Sequence, residues 1–227
     1  MTLNNRLEYF RSRFMNSERA TEYVNRRGLS SATVDDLFIG YCPEDCPCDL
    51  TRFADRVIFP IFDLNQEPIA FGGRLLPDGD GPKYYNSPTS EIYEKSKVLY
   101  NLNAAQDFIL KSGHAIVVEG YMDVAMMWNE GFRNVVATCG TAFTRHHLRL
   151  LKRFCDRVVL IFDGDKAGMK SSESACNELQ VECFPIDVVT LPSGYDPDDY
   201  IKQYGAIDLI GLVRDAKETK QKDSRRR

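Results

Sequence analysis

The sequence predicts an α/β protein in two parts: an α+β N-terminal subdomain, then a domain built on a parallel sheet. Three observations carry this expectation. From residue 113 onward, short apolar runs alternate with helical patterns, the signature of βαβ units. Several runs, such as VVLIF at 158–162, are apolar throughout, as strands buried on both faces must be. Before residue 113 the order differs, with helices first and a hairpin after them.

The elements follow in order. In SERATEYVNRRGLS (17–30), Ala20, Tyr23, Val24 and Arg27 share a helical face, and Gly28 stands where a helix stops. Ser30 or Ser31 caps a short helix carrying Val34, Leu37 and Phe38. YCPEDCPCDLT (41–51) reads as a loop by its prolines and acids. Its Cys42, Cys46 and Cys48 raise a zinc reading, but the spacing is irregular and no fourth ligand lies nearby, so zinc is not expected. RVIFPIFD and PIAFGGR form a β-hairpin over 56–74 with Asn65 in its turn. PDGDGPKYYNSP (77–88) is turn and loop, with basic and aromatic residues interleaved. A helix follows at 102–111. Strands at 115–118, 134–137, 157–162 and 184–189 then alternate with helices at 122–130, 144–154, 166–179 and a short one from 198. Three parts result: 1–112, 113–205, and a stub with a polar tail at 206–227.

Composition excludes several classes. A net charge of −4 rules out a chain-wide basic field, so any nucleic-acid contact must come from a local patch. No apolar run approaches the roughly 20 residues of a membrane span. The cysteine count is 7, an odd number without a regular framework, which favours reduced thiols and a cytoplasmic setting. No heptad pattern argues for a dimer, and a monomer is expected.

The chemistry lies in VVEGYMDVAMM (117–127) and VVLIFDGDKAG (158–168). Ligands of parallel α/β sheets bind outside the carboxyl ends of the strands. Glu119 follows the first strand, Asp163 and Asp165 follow the third, and Asp196 and Asp198 in YDPDDY follow the fourth. With Asp123 they make one cluster of like charge. Such a cluster is costly unless a cation neutralises it. Oxygen ligands without cysteine or histidine favour Mg²⁺ or Mn²⁺ over zinc. Two such ions suit phosphoryl transfer, holding the attacking and leaving oxygens. Gly164 relieves the turn of the D-x-D, and Gly168 permits close helix packing. A single D-x-D is weak evidence, because acids are common where helices begin. Acids at three strand ends of one sheet are not explained that way.

EGYMD and DGDKAG, in this order within an α/β unit, resemble the TOPRIM domain. RVIFPIFDLNQEPIAFGGRLL, PKYYNSPTSEIYEKSKVLYNLNAA, GTAFTRHHLRLLKR and YVNRRGLSSATVDDLFIGYCP resemble the RNA polymerase core of DnaG-type bacterial and phage primases. The resemblance covers residues 6–205. It implies that Glu119 acts as general acid or base near the metals and that Asp163 and Asp165 bind metal. Asp196 and Asp198 would be the later acidic pair, and Asp123 the aspartate of the E-G-Y-x-D motif. It further implies that Arg56, Arg74, Lys83, Tyr84, Asn86 and Lys95 guide template and nucleotides. The implied partners are a single-stranded DNA template and ribonucleoside triphosphates, with a replicative helicase or a separate zinc-binding domain acting in trans.

The chain departs from that pattern in three places. The sequence reads as lacking the N-terminal zinc-binding domain, only residues 44–54 stand where the family has a longer helical segment, and after residue 205 the helical subdomain and helicase-binding domain are expected to be absent or cut to a stub. The short internal segment favours a reduced natural protein, phage- or mobile-element-encoded, over a fragment. The rival readings are a metal-dependent TOPRIM nuclease and a non-catalytic module that binds single strands.

Overall fold

The computed structural model describes residues 1–164 and 184–224, except for the side chains of 217–224. Asp165, Gly168, the helix expected at 166–179 and the terminal arginines at 225–227 lie outside the described residues. The chain divides into two compact units, Met1–Glu94 and Lys95–Arg227. That division precedes the boundary expected at 112/113. The reason is packing: the helix Leu102–Ser112 rests on strands of the second unit.

The first unit opens with helices α1 (Leu3–Met15), α2 (Glu18–Arg26) and α3 (Ser31–Asp36). Each begins at a hydroxyl residue, Thr2, Ser17 or Ser30, whose side chain accepts the N–H three residues on. Four strands follow as an antiparallel sheet in the order β1 (Gly40–Cys42), β2 (Arg56–Phe62), β3 (Pro68–Leu75) and β4 (Tyr84–Asn86). The expected hairpin is its centre. The two edge strands fall in segments expected to be loops. Each is three residues long, too short for a period-two pattern to register. Phe10 of α1 meets Phe71 edge-on at 5.1 Å and Phe53 at 6.1 Å, and this aromatic set forms the core on one sheet face.

The second unit runs α4 (Leu102–Ser112), β5 (His114–Val118), α5 (Tyr121–Asn129), β6 (Val135–Ala137), α6 (Arg145–Leu151), β7 (Arg157–Phe162), β8 (Ile186–Thr190), α7 (Pro197–Tyr204) and α8 (Ala206–Ser224). Its sheet is parallel throughout, in the order β6-β5-β7-β8. The strands are buried almost end to end, which explains their apolar sequences. Helix α5 packs against α7, and α8 covers β8. The tail expected to be frayed continues α8 as far as Ser224. Among the described residues, no helix is long and apolar enough to cross a membrane.

Strand order fixes where a site belongs. From β5 the chain moves to β6 on one side, and from β7 it moves to β8 on the other. The carboxyl ends of β5 and β7 therefore flank a topological switch point, where the outgoing chain opens a crevice.

In the first unit, β1 passes so close to α1 that a Cβ on Gly40 would lie 2.7 Å from the Phe10 Cβ. Gly40→Ala is expected to destabilise the protein by about 1–3 kcal/mol through overpacking. Urea unfolding measures this, and a midpoint equal to wild type would contradict the tight seam.

Candidate metal centre

Glu119 leaves β5 and Asp163 leaves β7, the two neighbouring strands at the switch point. Asp123 lies one turn into α5 and is buried. Its Oδ2 accepts the Gly120 N–H at 2.9 Å. A Cβ on residue 120 would come within 2.8 Å of that oxygen, so the glycine of the E-G-Y-x-D motif keeps room for the aspartate.

Gly164 has a different task from the one its sequence suggests. A Cβ there would lie 2.0 Å from the Pro192 carbonyl oxygen and 2.7 Å from that of Leu191. The Gly164 N–H donates to the Tyr195 carbonyl at 2.9 Å, and the Tyr195 N–H to that of Pro192 at 3.2 Å. Glycine thus lets the 191–195 loop press onto the end of β7, which brings the next acids alongside Asp163. It is close approach, more than turn strain, that demands this residue.

That loop leads into α7, whose N-cap is Asp196, its side chain accepting the Asp199 N–H at 2.7 Å. Pro197 occupies the first helical position. Asp198 is 1% exposed, and its carboxylate meets Lys202 Nζ at 2.8 Å one turn along. One oxygen each of Asp196, Asp198 and Asp199 lies within 4.8 Å of the others. Sequence reasoning left out Asp199. The third acid of DPDD was its only signal, and Asp199 is exposed.

The described acids act on one another. Burial, then the charges of Asp196 and Asp163 and after them Asp198, pushes the Asp123 carboxyl well above the ordinary range, against the opposing pull of the Gly120 N–H. One carboxylate oxygen each of Glu119, Asp163 and Asp198 is shut off from solvent. Among the described residues, only Asp196, Asp198 and Asp199 have carboxylate oxygens gathered closely enough to share one ion; Glu119, Asp123 and Asp163 are not in that group. A hard divalent cation held by such oxygens would offset the neighbouring charges that add to burial in raising Asp123. Asp165 lies outside the described residues.

The expected basic set divides between the two units, and one member is buried. Arg56 is buried, and its Nη1 donates to the Pro82 carbonyl at 2.8 Å and more distantly to those of Gly73 and Lys83. It braces the 82–83 turn from within, which corrects its expected place as a phosphate contact. The sequence misled here because an arginine opening an apolar strand looks the same whether its head meets solvent or backbone. Arg74 and Tyr84 are register partners across β3 and β4, joined at 2.8 Å, and Asn86 follows two residues along the same face. The pleat places Lys83 on the side of Tyr85, and Lys83 is exposed. Lys95 belongs to the second unit, in a single 3₁₀ turn at Lys95–Lys97.

Comparison with known proteins agrees with this geometry. A family model described as Toprim-like matches residues 116–201, and one described as the N-terminal domain of the DNA primase catalytic core matches 48–106. A DNA primase of Aquifex aeolicus (strain VF5) is 35% identical over 240 residues, covering 93% of this chain and 48% of the relative. The structure of a DNA primase domain from Pseudomonas aeruginosa superposes with a TM-score of 0.84 at 31% identity, covering 93% of this chain and 77% of that one. A DnaG primase catalytic domain bound to single-stranded DNA gives a TM-score of 0.83 at 28% identity, covering 94% and 79%. The chain spans about half or less of the length of the curated relatives it matches.

Two outcomes follow. Gly164→Ala is expected to push the 191–195 loop off β7 and to weaken Mn²⁺ binding along with thermal stability, both followed by titration and melting. A variant that binds Mn²⁺ normally would show that the loop contact does not build the site. The second concerns pH. Asp123 has a folded-state pKa raised above its unfolded value near 3.9, so its contribution is full at low pH and is lost as pH rises through the raised value. Metal-free protein should therefore melt lower as pH climbs above the ordinary carboxylate range, and Asp123→Asn should flatten that decline. Parallel curves for both proteins in chelator would contradict the buried repulsion.

Proposed function

The chain belongs to the DnaG-type DNA primase family, and from that premise we propose that it joins ribonucleoside triphosphates into short RNA primers on single-stranded DNA. The observation that supports this reading is the placing of Glu119 and Asp163 at the ends of adjacent strands, with Asp163, Asp196 and Asp198 near enough to Asp123 to raise its carboxyl. In the proposed reaction the 3′-hydroxyl of the growing strand attacks the α-phosphorus of the incoming nucleotide. A new P–O bond forms, the bond to the β-phosphate breaks, and pyrophosphate leaves with its electron pair. Glu119 takes the hydroxyl proton as catalytic base. Asp163, Asp165, Asp196 and Asp198 would hold Mg²⁺ or Mn²⁺, with Asp123 behind them. When bound, the metal lowers the pKa of the attacking hydroxyl and offsets charge on the leaving group.

Arg74, Tyr84 and Asn86 supply template contacts in this proposal: a cation for phosphate, a ring for a base and an amide for either. Support for a single-stranded template comes from the related catalytic domain bound to such a strand. Lys83 offers a further phosphate contact, and Lys95 contacts the nucleotide. The assignment of template handling to the first unit and chemistry to the second follows the sequence expectation, with the boundary moved to Glu94/Lys95. A replicative helicase and a zinc-binding domain would act with this core, in the bacterial cytoplasm.

The test incubates the protein with single-stranded template, labelled ribonucleotides and Mg²⁺. New short RNA is expected. Glu119→Gln should lower its rate by roughly 10²- to 10⁴-fold, the usual reach of general base catalysis, with template affinity kept. Arg74→Ala should weaken template binding and reduce its log–log salt slope by roughly 0.7. A template shortened instead of copied would identify a nuclease, and full synthesis by Glu119→Gln would remove that residue from the chemistry.

A further inference from the structure

His147 is fully buried on α6, and both its ring nitrogens are used. The Thr144 N–H lies 3.1 Å from Nδ1, and a backbone N–H can only donate. The ring proton therefore sits on Nε2, which donates to the Lys95 carbonyl at 2.9 Å, 52 residues earlier in the chain. Burial also pushes the imidazole below its ordinary range, consistent with this neutral form. The Thr144 hydroxyl accepts the His147 N–H at 3.2 Å and donates to the Ser96 carbonyl at 2.6 Å. Phe143 stacks on the imidazole with centroids 5.8 Å apart. Capping α6 needs only the Nδ1 side. The Nε2 bond and the Ser96 bond do something else: they tie the Lys95–Lys97 turn to the helix.

The tied segment has a defined place. Three residues past the turn, Tyr100 exchanges backbone bonds with Ala137 at 2.9 and 3.2 Å. Ala137 ends β6 and is the register partner of Val118, the residue before Glu119. The turn thus lies on a segment that joins the sheet at the carboxyl end where the acids gather. It brings two lysines, one half-buried and one exposed, to an end otherwise dominated by carboxylates.

We infer that His147, with Thr144, is the positioning residue for the Lys95–Lys97 turn, fixing two ammonium groups where the triphosphate of the incoming nucleotide binds. This rests on the primase reading for the identity of the anion, while the tether itself does not. Lysine holds phosphate as a point charge on a flexible stem, so its precision must come from the backbone that carries it. A backbone anchored by a buried neutral ring supplies that.

The experiment compares His147→Phe, which keeps the ring and loses both bonds, with His147→Gln, which restores a donor near Nε2. Amide exchange of residues 95–100 and equilibrium dialysis of ATP with Mg²⁺ are measured on the full chain. His147→Phe should speed exchange across 95–100 and weaken ATP by about tenfold, the scale of one buried hydrogen bond. Mn²⁺ affinity should stay unchanged, and His147→Gln should recover most of both losses. If His147→Phe does not fold, Thr144→Val, which removes the Ser96 tether and keeps the ring, carries the same expectation. Unaltered exchange, unaltered ATP affinity, equal damage in the phenylalanine and glutamine variants, or wild-type protein that binds no ATP would each overturn the inference. Wild-type protein that binds ATP but makes no primer would overturn the primase reading and leave the tether standing.

Discussion

Repulsion between carboxylates at the carboxyl end of the parallel sheet is the constraint on which the second unit depends. Left alone, such groups would spread apart or take up protons. The backbone prevents the first. Gly120 leaves space for Asp123 above its own N–H, and Gly164 lets the 191–195 loop seat directly on β7. The packing of α5 on α7 then fixes the two helices that carry the remaining acids. Burial first, and the neighbouring aspartates after it, hold the Asp123 carboxyl above its ordinary range. Burial of the apolar strands on both faces offsets the cost.

The parallel sheet was legible because its strands are continuous apolar runs, and the strand ends read from sequence put Glu119 and Asp163 at the switch point. What the sequence hid was tertiary approach. Gly164 looked like a turn glycine because a linear reading has no access to Pro192, which comes much later in the chain. Arg56 looked like a surface cation because nothing local reveals the Pro82 carbonyl that receives it. Strands β1 and β4 were missed for want of length, and α4 was placed in the wrong unit because its partners come later in the chain. The histidine of TRHH gave no signal of its distant use, since one ring face serves the local helix cap and only the other reaches Lys95.

The first unit distributes its polar groups by the pleat. Arg74 and Tyr84 face each other across β3 and β4, with the guanidinium carbon 5.1 Å from the ring centroid. Each restrains the other's rotamers, so a contact made by either loses little further freedom. On the opposite side lie Phe10, Phe53 and Phe71, and Gly73 leaves room there for the stem of the buried Arg56. Neither face of this sheet is polar throughout, since Val57, Phe59 and Ile61 share Arg74's face and are buried.

The pair formed by Lys202 and Asp198 bears on how such a protein is made in the cell. The ammonium sits one turn from the helix start and partly neutralises the most deeply buried acid before any ion arrives. In small zinc modules the metal provides the folding energy, and the apoprotein is a disordered chain. Here an internal cation and a capped helix support the buried acid without an ion, so the scaffold is expected to fold before any metal binds. If the acids hold metal as proposed, scarcity of divalent ions would then leave a folded protein that waits for its ion.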